Sequence, residues 1–225
     1  SYFVISRRIS KRLQAVMAEV GERAQKGDVV GARQTLLDAM PLAKWQPLVG
    51  SQITAQLGAL DYMQRRFKEA RVNLEGSSRL NWQSRAMWAC LELRDGKASE
   101  GAEILQKSSW MGRKDPLYWG LLSRLHLKAG NSTRALEVLT DALEVLPDSK
   151  PLKELKTAIA NGRQGRYRWE QHFGQSWFSF FPEEATPAKL QRLGIEVPGM
   201  SRENQGPRPI MSPQARGGRR NRGRR

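Results

Sequence analysis

The chain is poor in the residues that build most catalytic and metal centres. It holds one cysteine, Cys90, and two histidines, His126 and His172, among 225 residues. A lone cysteine closes no internal disulfide and supplies no cysteine-based zinc site. The two histidines lie too far apart in sequence to suggest a His-rich one. No apolar run reaches the roughly 20 residues that a bilayer-spanning helix needs. Acidic side chains are scarce as well, with 22 Asp and Glu against 38 Lys and Arg, a net charge of +16. A phosphate loop ending in Gly-Lys-Ser/Thr, a nucleophile elbow and a His-Glu-x-x-His helix are all absent. These gaps argue for binding rather than catalysis, with no cofactor, no metal and no small-molecule substrate expected. Apolar residues, at 39%, are sufficient for a buried core.

The positive charge sits mostly at the two ends. Residues 1–12 carry Arg7, Arg8, Lys11 and Arg12, and residues 202–225 carry eight arginines against one glutamate, so eleven of the sixteen units lie outside the body. The opening Ser-Tyr-Phe-Val-Ile-Ser followed by clustered Arg and Lys reads as the last residues of a transmembrane helix with a cytoplasmic basic flank. Residues 1–12 are therefore expected to follow a span upstream of Ser1. The simpler reading is an ordinary helix start.

Residues 13–161 show apolar residues at three- and four-residue spacing, with Gly and Pro between the runs. The clearest unit, 116–149, places Trp119 and Leu122 on a first helix, Gly130 at the turn, and Ala135, Leu139 and Ala142 on a second helix closed by Pro147. Upstream, 51–80 offers Leu57-Gly58 and Phe67-x-x-Ala70. Residues 13–44 offer Gly27 and Ala32, and 82–113 offer Trp88, Gly96 and Gly101. The small residues Ala32, Ala70, Gly101 and Ala135 stand 38, 31 and 34 residues apart. Arg65 falls where a turn glycine is expected, and Glu19 where a core leucine is. This pattern resembles the tetratricopeptide repeat (TPR) family. The resemblance implies an all-α fold: a right-handed superhelix of about four helix pairs with a capping helix over 151–161.

It also implies a groove lined by the first helices, binding a peptide or helix of a partner protein. Family geometry turns Cys90, Arg94, Arg124 and Lys128 toward that groove. Three of the four are cationic, which suits an acidic segment or a C-terminal carboxylate; a solvated basic face is the alternative. The carboxylate clamp of chaperone-binding members is not expected, since Ala55 and Ala59 occupy its places in the second unit.

Residues 162–200 form a separate segment, and 161–181 hold seven of the chain's 17 aromatics interleaved with Arg163, Arg166 and Arg168. Three readings stand open: a fold-back onto the repeats, a membrane interface, and a single-strand stacking platform. Residues 201–225 are expected to be a disordered Arg/Gly/Pro tail. Its Arg216, Arg219, Arg220, Arg222, Arg224 and Arg225 would hold anionic lipid or RNA, or merely solubilise the chain. The expected function is a non-catalytic scaffold tethered to the cytoplasmic face of a membrane. The alternative is a soluble RNA- or ribosome-associated protein acting through the tail.

Overall fold

A computed structural model describes residues 2–44, 47–108 and 110–195. The whole Arg-rich tail, with its six named arginines, lies outside the described residues. Nine longer helices follow one another: α1 (Tyr2–Gln25), α2 (Val29–Ala39), α3 (Pro47–Met63), α4 (Phe67–Glu75), α5 (Trp82–Arg94), α6 (Ala98–Gln106), α7 (Pro116–Lys128), α8 (Ser132–Val145) and α9 (Lys150–Ala160). Two short ones close the described chain, α10 (Trp169–Phe173) and α11 (Pro187–Arg192). No strand occurs among the described residues, so the fold is all-α. Local chemistry sets several starts. Asp28, Asn81 and Asn131 each accept the backbone N–H three residues on, and Asp115 caps α7 ahead of Pro116. α1 runs unbroken through residue 12, where the basic flank was expected to end.

The helices pack as pairs, α1 on α2, α3 on α4, α5 on α6 and α7 on α8, and each pair packs on the next. The turn inside each pair is the same. Gly27, Gly96 and Gly130 take positive φ, and so does Arg65 at +60°, each five residues before the small residue of the second helix. At each, the residue after the turn donates its N–H to a carbonyl five residues back: Asp28 to Arg23, Arg66 to Asp61, Lys97 to Glu92 and Asn131 to His126. That closure ends a first helix while satisfying its last carbonyls. Arg65 thus adopts a glycine conformation despite its Cβ. The same closure recurs at the end of α9, where Gly162 has positive φ and Arg163 donates to Ala158. α9 therefore ends in the same way as the first helices of the four pairs.

The small residues are small because the helices cross closely. Ala32, Ala70 and Ala135 are fully buried, as are Leu36, Leu74, Leu105 and Leu139 four residues on. A Cβ on Gly101 would stand 2.6 Å from the Ala89 carbonyl oxygen of α5. A Cβ on Gly58 would stand 2.7 Å from the Leu74 side chain.

Buried acids join neighbouring pairs. Asp61, wholly buried, accepts from Arg33 at 3.1 Å, Arg66 at 2.9 Å and Asn73 at 3.0 Å, tying α2, α3 and α4 together. One unit on, Glu92 accepts from Arg71 and from the Trp88 indole. Both acids stand nine residues before a small residue, and both arginines directly follow the small residue of the preceding unit. At the next interface the same two places hold Ala102 and His126. No bridge forms there, and the His126 Nε2 is buried without a partner. Burial, then nearby Arg134, lowers the His126 pKa. The ring is therefore a neutral packing group near pH 7.

Candidate functional site

The first helices present one stripe of side chains seven residues apart, the spacing that returns to the same face after two turns. Along its C-terminal half this stripe is covered by the chain itself. After α9 the backbone turns back, and residues 164–193 lie against α3, α5 and α7. Trp177, Phe178, Phe180 and Phe181 are buried in the same core as Tyr62, Trp82, Cys90 and Leu121. Trp177 is wholly buried, stacked 4.9 Å from Trp169 and tilted 4.7 Å from Phe181. Phe180 stacks on Trp82, and its carbonyl accepts the Tyr62 hydroxyl at 2.5 Å. Phe173 lies over Gly120, where a Cβ would meet its ring at 2.5 Å.

Charge matches charge across this contact. Arg94 pairs with Glu183 at 2.7 Å, and Arg124 with Glu184. Glu184 also accepts the Trp177 indole N–H at 3.0 Å, with Lys189 at 3.7 Å. Burial alone would raise the Glu184 pKa, but Arg124, the Trp177 bond and Lys189 together hold it below the usual carboxylate range. The Arg124 guanidinium sits 4.0 Å over the Phe181 ring and 4.9 Å over Trp177, a cation–π arrangement.

The four residues expected to face the groove share this face. Cys90 is buried beside the Tyr62 hydroxyl. Burial, opposed by Arg124, pushes its thiol up to about 12, which leaves it protonated and inert. Arg94 and Arg124, expected to face an acidic segment of a partner protein, pair instead with glutamates of the same chain. Lys128 is exposed with no partner among the described residues. Glu183 and Glu184 were missing from the expected set, although an acidic pair downstream of acid-seeking arginines was visible in the sequence. The aromatic segment places its rings inward: none of the seven is exposed, while Arg163, Arg166 and Arg168 are.

No segment among the described residues covers the N-terminal half of the stripe. A cavity of about 420 Å³ lies between α1, α3 and the start of α5, lined by Leu13, Met17, Gln14, Gln52, Gln56 and Asn81. Gln14 and Gln52 hold the same place in their units, each 18 residues before the small residue. Gln52 precedes Ala59, the counterpart of Cys90, by seven. At the start of α1, Arg7, Arg8, Lys11 and Arg12 are all exposed, with no acidic partner among the described residues. No helix among the described residues is long and apolar enough to cross a membrane. No cluster of His, Cys, Asp or Glu among them is arranged to hold a metal.

Family models, curated proteins and solved structures were each compared with the chain, and none matches.

Proposed function

We propose that this protein is a non-catalytic TPR-type adaptor that captures a segment of a partner protein, a peptide or a helix, on the N-terminal half of its first-helix face. One observation carries the reading. The same stripe, two units further on, already holds a segment of short helical turns in cis, through buried rings, Arg–Glu pairs and a tyrosine bonded to a backbone carbonyl. At the N-terminal half the chemistry changes from cationic to amide. Gln14, Gln52 and Gln56 each carry both donors and acceptors, and Asn81, whose Oδ1 caps α5, adds its amide donors, which suits the backbone of a peptide, with Leu13 and Met17 as an apolar floor. The right-handed superhelix and the curvature of the groove belong to this proposal.

The basic start of α1 supports a second part. Arg7, Arg8, Lys11 and Arg12 fall within an arc of about 140° at 3.6 residues per turn, and each is worth about 1 kcal/mol against an anionic lipid surface. They would hold the adaptor against the cytoplasmic face of a membrane.

Site-specific photocrosslinking in the native cell tests the capture. A photoreactive residue at Gln56 should give a discrete adduct, and one at exposed Val72 on α4 should not. Equal labelling from both positions, or none from Gln56, would remove the groove from the proposal.

A further inference from the structure

The C-terminal end of the first-helix face holds a cleft of about 890 Å³. It is walled by α7, by the loop that follows α9, and by α11. Five cations line it, and two acids, Glu170 and Glu184, oppose them. The acids are already engaged: Glu184 pairs with Arg124, and Lys189 stands 3.7 Å from both carboxylates. Lys128, Arg166 and Arg168 are left over, exposed and without an acidic partner among the described residues. Two wall residues carry buried atoms with no hydrogen-bond partner, the Arg124 Nε donor and the Gln164 Oε1. A second cleft of about 630 Å³ on the other side of the same loop shares Arg166 and Arg168 and adds Lys153, Arg163 and one acid, Glu154.

Three uncommitted cations from two separate elements converge on one concavity. Like charges repel, so their convergence favours an anion between them. Two are guanidiniums, whose planar forks match phosphoryl oxygens. The cleft is far larger than one small anion and falls within the usual size of small-molecule sites. Single-stranded RNA is disfavoured, because this segment offers no exposed ring on which a base could stack.

We propose that this cleft binds a ligand bearing clustered phosphoryl groups, held by Lys128, Arg166 and Arg168. That chemistry is shared by free polyphosphorylated compounds and by multiply phosphorylated lipid headgroups.

The test uses the full chain and inorganic tripolyphosphate, by calorimetric titration. One saturable site is expected. The triple variant Lys128→Gln/Arg166→Gln/Arg168→Gln should weaken it by about tenfold or more, given the strength of charge-assisted hydrogen bonds. The tail variant Arg219→Gln/Arg220→Gln/Arg222→Gln should change it by less than about twofold, because screened charge on the tail gives diffuse rather than sited binding. The three cleft side chains are exposed and unpaired, so circular dichroism and the melting temperature should not move. If the triple variant does unfold, Lys128→Gln alone should still weaken binding measurably. A parallel arm measures co-sedimentation with phosphatidylcholine vesicles carrying phosphatidylinositol bisphosphate, or phosphatidylserine at matched charge. Capture specific to the bisphosphate and lost in the triple variant assigns a lipid source. Tripolyphosphate binding without vesicle capture assigns a free one. The proposal is overturned by loss of tripolyphosphate binding in the tail variant but not in the triple variant. It is equally overturned by an absence of saturable binding, or by binding to single-stranded RNA alone. None of these outcomes bears on crosslinking from Gln56, so the two proposals fail separately.

Discussion

Trp177→Ala removes the side chain around which the C-terminal segment is assembled. The indole is wholly buried, and a tryptophan covers roughly 200 Å². At about 25 cal/mol per Å² that gives an upper bound near 5 kcal/mol. Two losses add to it: the rings of Trp169 and Phe181 lose a partner, and Glu184 loses the indole donor. Collapse of the emptied site offsets part of this, and large-to-small substitutions of this size cost about 3–5 kcal/mol. We expect a loss of about 4 kcal/mol in urea unfolding followed by far-UV circular dichroism. Trp110→Ala, on a ring 64% exposed, should cost less than about 0.5 kcal/mol. A loss below about 1.5 kcal/mol for Trp177→Ala would refute the reasoning. It would mean that residues 164–193 rest on the repeats without sharing their core.

Gly101→Ala would drive a Cβ to 2.6 Å from a backbone carbonyl, and should destabilise by about 2 kcal/mol as overpacking does, read as a lowered urea midpoint. Arg65→Gly relieves a left-handed residue and should stabilise by about 0.5 kcal/mol, since Gly pays back part of the gain in unfolded-state entropy; a fall in melting temperature would contradict this. The depressed Glu184 pKa makes its contribution present above an unfolded value near 4.3 and lost as pH falls through the lower folded one. The stability gap between wild type and Glu184→Gln should therefore shrink as pH falls below about 4.3, and a constant gap would deny the Arg124 pairing. Cys90, buried with its thiol pushed up to about 12, should react with a thiol reagent at pH 8 only at the rate of opening, so prompt labelling of the native protein would place it elsewhere.

The repeat was legible because its signals are local. A turn residue, a small residue five positions later and a leucine four beyond that each answer to one helix crossing. Their spacing survives even where the residue type departs, as at Arg65 and Gly101. The buried acids were less visible. Asp61 and Glu92 read as ordinary surface charge until their shared offset from Ala70 and Gly101, and the arginines after Ala32 and Ala70, are set side by side. The segment 164–193 was hardest. Its aromatics leave three environments open, because composition reports that rings want cover and not which surface provides it.

The sequence by itself determined the helices, their pairing and the cationic character of the first-helix face, since each follows from periodicity and short-range chemistry. Only the tertiary structure decided what meets that face. Glu183 and Glu184 reach Arg94 and Arg124 from 60 to 89 residues away, and no local rule brings them there. The same fold-back turns seven rings inward and leaves three arginines outside. The physical reason is that burying that many aromatics outweighs the entropy of closing a long loop, which grows only as the logarithm of its length.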